Sequence, residues 1–143
     1  MAEFIDFAFR HWYLFVALFV ILGMLIGGEM LRKIRGITAL NPMQALQLIN
    51  HQDAVVIDVR DAAEFKTGHL PDARHVPMSE LGQRLKELNK FKEKPVILYC
   101  RTDTRASSAG ARLKKEGFTS VHTLQGGLTA WQSANLPLSK SKK

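Results

Sequence analysis

The chain has 143 residues, a net charge of +7 and a single cysteine. This length supports one domain with a modest core and excludes a second domain of similar size. One cysteine excludes a disulfide framework and fits a reducing compartment. The positive charges are dispersed and no stripe interleaves them with aromatic residues, so we expect no nucleic-acid partner.

The N-terminal part contains the longest apolar run. Trp12 to Gly28 has no charged residue, and as a helix it would measure about 25 Å, a little less than a ~30 Å hydrocarbon core. Three more residues bring the run close to the full thickness, and Trp12 and Tyr13 begin it, where aromatic rings favour the membrane boundary. The sequence therefore predicts a short N-terminal segment, residues 1–11, and one transmembrane helix, residues 12–31.

Charges on the two sides of this run predict its orientation. A signal peptide begins with a basic region, whereas the first ten residues contain two acidic residues, Glu3 and Asp6, and one basic residue, Arg10. No small-residue cleavage pattern follows the run, so a cleaved signal peptide is disfavoured. A basic juxtamembrane linker, residues 32–39, comes next, and the positive-inside rule places it in the cytoplasm. Its basic residues are Arg32, Lys33 and Arg35. We expect a single-pass protein of the inner (cytoplasmic) membrane, with its N-terminus outside and its C-terminal domain in the cytoplasm.

Gly23 and Gly27 form a G-x-x-x-G spacing inside the run, which lets two helices approach closely. A dimer through this face is one hypothesis, and the alternative is that these are ordinary glycines, which are common in membrane helices.

Beyond the linker, in residues 40–138, short apolar runs alternate with amphipathic stretches. Buried strands are predicted at AVVIDV, PVILY and VHTL, and a short strand at ARHVP. Helices are predicted after the caps Asn41 and Asp61, after the cap Ser79 through residue 88, over residues 107–116 and around Trp131. This alternation predicts an α/β domain with a central parallel sheet flanked by helices, followed by a solvated basic tail, residues 139–143.

The only cysteine, Cys100, follows the strand PVILY and precedes a helix. Ligands of parallel sheets bind beyond the carboxyl ends of the strands. A loop here would turn successive N–H groups inward beside a helix N-terminus, which favours a thiolate, and Arg101 and Arg105 would hold an anionic substrate or persulfide. A structural buried cysteine is the alternative, and the position, the loop length and the two arginines together outweigh it.

Four segments, VVIDVRDAAEF, GHLPDARHVP, PVILYCRTDTRASSAGARL and LQGGLTAWQSANLPL, resemble single-domain rhodaneses, a family of sulfurtransferases, in order and spacing. With the preceding apolar run, the chain is similar to membrane-anchored bacterial rhodanese-like proteins. The resemblance implies that catalytic Cys100 takes sulfur from a donor such as thiosulfate and holds it as a persulfide. The acceptor would be cyanide, a thiol or a protein cysteine, and no cofactor beyond the covalent persulfide is implied. The residues implied to bind substrate are Arg101, Thr102, Asp103, Thr104 and Arg105.

The loop departs from the usual family pattern at two positions, with Asp103 where glycine is usual and Ala106 where serine is common. A carboxylate close to the thiol would oppose thiolate formation and repel thiosulfate. Pairing with Arg101 or Arg105 would neutralise it, and the alternative is a carboxylate that points to solvent. We therefore expect a sulfur carrier or a slow thiosulfate enzyme.

Two other classes stay open. Phosphatases and arsenate reductases of similar topology use a C-x5-R loop, usually with histidine before the cysteine, whereas this chain has C-x4-R and Tyr99, which disfavours that class. A non-catalytic docking module at the membrane would need no cysteine, so Cys100 argues for chemistry, and persulfide formation distinguishes the two.

Residues outside the loop are expected to have structural roles. Asp58 is expected to shape the site by bonding loop N–H groups or an arginine, and Arg60 by pairing with Glu64. His69 is expected to be a hydrogen-bonded scaffold residue and Trp131 a core anchor. The other histidines have no cysteine or carboxylate at ligand spacing, so no metal site is expected.

Overall fold

A computed structural model describes residues 1–34 and 36–140, without the side chains of residues 29 and 31–34. The three basic side chains of the predicted linker and the last three residues of the predicted tail therefore lie outside the described part. The chain divides into two compact units, Met1–Ile34 and Arg35–Lys143.

The N-terminal unit consists of two helices, α1 (Ala2–Arg10) and α2 (Trp12–Ile34). Within the described residues, no helix taken alone has the length and apolar composition needed to cross a membrane. Helix α1 and the Trp12–Gly28 part of α2 meet these two criteria only as a pair, and the pair is bent by 72°. The transmembrane helix predicted at residues 12–31 is thus not confirmed, and the helix contact through Gly23 and Gly27 stays a prediction.

The second unit is built on a five-stranded parallel sheet, which confirms the predicted fold class. Its strands stand in the order β1-β5-β4-β2-β3, so the first strand in sequence lies beside the last. In chain order they are β1 (Ile37–Leu40), β2 (Val55–Asp58), β3 (Arg74–His75), β4 (Val96–Tyr99) and β5 (Val121–Leu124). Strand β1 begins inside the segment predicted as linker. Its sequence ITAL is short and only its two ends are buried, so it carries little strand signal.

Five helices cover the sheet, together with a 3-10 turn at Asn89–Phe91. They are α3 (Pro42–Gln52), α4 (Ala62–Thr67), α5 (Leu81–Leu88), α6 (Thr104–Lys115) and α7 (Gly127–Ser133). The predicted cap Asn41 is confirmed, because its Oδ1 accepts the Gln44 N–H at 2.8 Å. The predicted cap Ser79 is wrong, since α5 starts after Glu80 and has no side-chain cap. Helix α6 starts three residues before the predicted position, so its first turn belongs to the cysteine loop.

The central strand β4 is completely buried and supplies side chains to apolar clusters on both faces of the sheet. Leu98 packs on one face with Leu113 of α6, and Ile97 packs on the other face with Trp131 of α7. Trp131 is 1 % exposed, which confirms its predicted role as a core anchor. Because both faces of β4 are packed, the residue that follows the strand begins from a rigid position.

Candidate active site

Cys100 lies at the carboxyl end of β4, where the loop to α6 begins. It is 1 % exposed and packs with apolar residues, so burial alone would fit either a structural or a reactive cysteine. The loop distinguishes them: within the described residues, the backbone N–H groups of residues 101–106 have no hydrogen-bond acceptor. The first N–H groups of a helix have no partner within it, and here the loop before α6 extends that row of donors, an arrangement that binds an anion.

The start of α7 holds this loop in shape. The N–H of Leu128 donates to the carbonyl of Cys100 at 2.9 Å, and the Thr129 N–H and hydroxyl donate to the carbonyl of Arg101 at 3.4 and 3.2 Å. In a trans peptide the C=O and the following N–H point in opposite directions. Carbonyls bonded to α7 therefore turn the N–H groups of Arg101 and Thr102 to the opposite side of the loop.

Gly127 makes this contact possible. A side-chain carbon there would lie 2.8 Å from the carbonyl carbon of Arg101 and would collide with the carbonyl oxygens of Cys100 and Thr102. Its φ is also +58°, in the region that favours glycine. Gly126 and Gly127 both have positive φ and form the tight turn that packs α7 closely against the cysteine loop.

Arg105, in the first turn of α6, is held by Glu64 of α4. Its two terminal nitrogens donate to the two carboxylate oxygens at 3.0 and 3.2 Å, in the forked geometry that arginine forms with carboxylates. The hydrogen bond from Arg105 lowers the pKa of Glu64 to about 2, and burial works against that shift. The predicted pairing of Glu64 with Arg60 is wrong.

Arg105 also lies within electrostatic range of Cys100. The pKa of Arg105 is raised, first by the hydrogen bond to Glu64 and, to a smaller extent, by the negative charges of Glu64 and Cys100, while burial opposes the rise. The guanidinium is therefore anchored on one side and within electrostatic reach of the cysteine on the other.

A buried ionic network lies behind the cysteine. Arg60 donates to both oxygens of Asp58, at 3.0 and 2.7 Å, and to the carbonyl of Gly68 at 2.7 Å. The Tyr99 hydroxyl donates to Asp58 at 2.7 Å and accepts the Leu70 N–H at 3.0 Å. Burial raises the pKa of Tyr99, and the negative charge of Asp58 adds to this effect, so the phenol stays protonated.

This network joins the ends of β2 and β4. Asp58 ends β2, and Tyr99 ends β4 directly before Cys100. The predicted bond between Asp58 and an arginine is confirmed, and the arginine is Arg60. Since Asp58, Arg60 and Tyr99 are each at most 3 % exposed, their mutual bonds fix the strand ends from which the loop starts.

Asp103 takes neither of the two orientations considered from the sequence. Its Oδ2 accepts the Gly126 N–H at 3.4 Å, and its Oδ1 is buried without a partner among the described residues. Its φ is −142°, so this loop does not need the positive φ that the usual glycine would allow. The loop therefore closes without a positive φ at Asp103, with the carboxylate directed to the backbone that precedes α7.

The other loop residues and His69 complete the site. Arg101, Thr102 and Thr104 are exposed at its rim. His69 donates from Nδ1 to the Phe65 carbonyl at 3.1 Å and stacks on the Phe65 ring, so its predicted scaffold role is confirmed. The roles of Glu64, Tyr99 and Thr129 were missed. Of these three, only the contact of Thr129 with the loop had a signal in the sequence, which is the glycine pair before Leu128.

The fold and the cysteine loop define an α/β protein with a single thiol beyond the end of a central parallel strand. The family model of the Rhodanese-like domain matches residues 41–134. The chain therefore belongs to the rhodanese-like domain family, which confirms the resemblance seen in the sequence.

Several known proteins are similar to this chain. The uncharacterized protein YqhL of Bacillus subtilis is 41 % identical over 57 % of this chain and 63 % of its own length. The uncharacterized protein YibN of Escherichia coli K12 is 31 % identical over 99 % of this chain and 100 % of its own length. The thiosulfate sulfurtransferase GlpE of Coxiella burnetii is 33 % identical over 71 % of this chain and 92 % of its own length.

A solved structure agrees with this relationship. The thiosulfate sulfurtransferase of Pseudomonas aeruginosa has 27 % sequence identity and a TM-score of 0.69, and the match covers 81 % of this chain and 22 % of that one. The chain spans less than two thirds of YqhL and a smaller share of the Pseudomonas protein. Family and fold are thus established.

Proposed function

We propose that this chain is a membrane-anchored sulfurtransferase that carries sulfur as a persulfide on Cys100. The observation that supports this most directly is the row of unpaired N–H groups of residues 101–106 at the end of β4. A persulfide adds one anionic sulfur atom beyond the cysteine, and a short row of donors suits it. The name of the Coxiella relative, a thiosulfate sulfurtransferase, supports the same chemistry.

In the first step the Cys100 thiolate attacks the outer sulfur of thiosulfate. A new S–S bond forms, the sulfur–sulfur bond of thiosulfate breaks, and sulfite leaves with the electron pair. Negative charge moves from the cysteine sulfur to the terminal sulfur of Cys-S-S⁻, where the loop N–H groups and Arg105 stabilise it. Because Cys100 is 1 % exposed, a donor that presents a single narrow sulfur atom is favoured.

In the second step a thiophilic acceptor collects the terminal sulfur. Cyanide, a thiolate or a protein cysteine attacks that sulfur, and the Cys100 thiolate departs with the electron pair. The exchange is a ping-pong reaction. Electrons balance among donor, cysteine and acceptor, so the proposed reaction needs neither a cofactor nor a metal.

Asp103 is proposed to slow the reaction with thiosulfate. Its carboxylate bonds to Gly126 rather than to either loop arginine, so its charge is not neutralised by an ion pair. A carboxylate in the loop repels a dianionic donor. The same charge has less effect on an uncharged donor, and a sulfur-carrier role is therefore favoured over rapid turnover of thiosulfate.

The anchor is proposed to be residues 12–31, with the N-terminus outside and the sulfurtransferase domain in the cytoplasm. The uncharged run and the charges that flank it support this proposal. Alkaline carbonate extraction of membranes that contain the full chain tests it. We expect the chain in the membrane pellet, and release into the soluble fraction would contradict anchoring.

Mass spectrometry of the full chain tests the persulfide itself. After reduction, exposure to thiosulfate or mercaptopyruvate should add the mass of one sulfur atom, and peptide mapping should place it on Cys100. Cys100→Ser should gain none. If the wild-type chain also gains none from either donor, the docking-module alternative replaces the enzyme.

A further inference from the structure

A cleft lies between the edge strand β3 and the end of α5, away from the cysteine loop. It encloses about 370 Å³. None of its lining residues belongs to the cysteine loop or to the Asp58 network. They are Arg74, Val76, Arg84, Lys86, Glu87, Leu88 and Lys90.

Four basic residues and one acidic residue line this cleft. Arg84 is neutralised by Glu80 and Glu87, and it also donates to the carbonyl of His75 at 2.7 Å, so it is fixed in place. Arg74, Lys86 and Lys90 have no carboxylate within 4.0 Å in the part of the chain that the structure describes. Three cations without an ion-pair partner therefore surround one cleft.

One buried ring brings two of these cations together. The guanidinium carbon of Arg74 lies 4.6 Å from the ring centre of Phe91, and Nζ of Lys90 lies 5.1 Å from the same centre. Each contact is a favourable cation–π interaction, and together the two contacts hold two positive charges beside one ring.

We propose that this cleft binds the phosphate group of a ligand. Arg74 offers the forked donors that match phosphate oxygens, and Lys86 and Lys90 add point charges. Val76 and Leu88 are buried behind the cleft and give an apolar floor for the carbon part of the ligand. The volume falls within the usual range of small-molecule sites, which is about 300–1,000 Å³. The phosphate belongs either to a small soluble molecule or to a phospholipid headgroup.

Lysine footprinting on the full chain in neutral detergent tests the proposal with inorganic phosphate as the probe. The measurement is the rate at which an amine reagent acetylates each lysine, with chloride at equal ionic strength as reference. At a phosphate concentration about ten times its Kd, acetylation of Lys86 and Lys90 should slow about tenfold. The exposed Lys66 on α4 should react at the same rate in both salts.

A matched pair of variants tests whether the protection arises in the cleft. Arg74→Gln should abolish the protection of Lys86. Arg112→Gln, which removes an exposed arginine from α6, should leave it unchanged. Neither variant touches the cysteine loop, and the persulfide on Cys100 serves as an independent check that both proteins are folded.

A second arm distinguishes the two sources of phosphate. The full chain is placed in phosphatidylcholine bilayers with or without phosphatidylglycerol, and the same lysines are footprinted. Protection by inorganic phosphate indicates a small soluble ligand, and protection that appears only with phosphatidylglycerol and disappears in Arg74→Gln indicates a headgroup. Either result upholds the site. If neither probe protects Lys86 and Lys90, or if Lys66 is protected equally, these cations serve only the end of α5 and the proposal is overturned.

Discussion

Replacing Gly127 with alanine tests whether α7 holds the cysteine loop in its working shape. The added carbon would lie 2.8 Å from the carbonyl carbon of Arg101 and closer to two carbonyl oxygens. Carbon atoms pack at about 3.5–4.0 Å, so the loop or the helix must retreat by roughly 1 Å. A displacement of about 1 Å at a reacting centre costs about 100-fold in rate, or about 2.7 kcal/mol of transition-state stabilisation.

The assay is kcat/KM for sulfur transfer from thiosulfate to cyanide, measured beside the free energy of unfolding in urea. Gly117→Ala is the matched control, because Gly117 also has a positive φ, +94°, but its nearest contact would be Nζ of Lys92 at 3.9 Å. Both variants should lose about 1–2 kcal/mol of stability from the backbone conformation. Only Gly127→Ala should lose kcat/KM. Equal kcat/KM in the two variants would refute the role given to α7.

The remaining predictions concern residues around the loop. Asp103→Gly should raise kcat/KM for thiosulfate, because it removes a carboxylate that repels the dianion, and a fall would contradict the inhibitory role. Tyr99→Phe should lower the free energy of unfolding in urea by about 1–3 kcal/mol, since Asp58 loses a buried donor; an unchanged value would show that the hydroxyl does not stabilise the network. The pKa of Glu64 is lowered from 4.5 to about 2, so the stability from its pair with Arg105 is complete above pH 4.5 and is lost as the pH falls toward 2. Urea unfolding at several pH values should show the difference between wild type and Glu64→Gln shrinking only in that window, and a constant difference down to pH 2 would contradict the pairing.

Much of the fold could be predicted from the sequence, because β2 and β4 lie in continuous apolar runs, which are typical of strands buried on both faces. The start of α6 was harder to predict from the sequence. Its first turn, which begins at Thr104, is polar and is set by the cysteine loop rather than by an apolar period. Strand β1 gave almost no signal, since an edge strand of four residues needs few apolar positions. These elements depend on distant partners rather than on local pattern.

The position of the cysteine could be predicted, but the pairing of the charges around it could not. Arg60 stands four residues before Glu64, which favours a local pair, whereas Arg105 is far away in sequence. In the fold, Arg60 pairs with Asp58 at the end of β2, and α6 brings Arg105 to the carboxylate of Glu64. The orientation of Asp103 depends in the same way on the placement of the residues that precede α7.

The order of the strands also has a consequence for synthesis of the chain. Among the described residues β1 pairs with β5 alone, so the partner of Ile37, which is Val121, is made about 80 residues later. At about 5–20 residues per second, an unpaired apolar segment persists for roughly 4 to 16 s on the ribosome. The α7 residues that hold the cysteine loop are made later still. The loop that carries Cys100 is therefore held in shape only after residues 127–129 have been made.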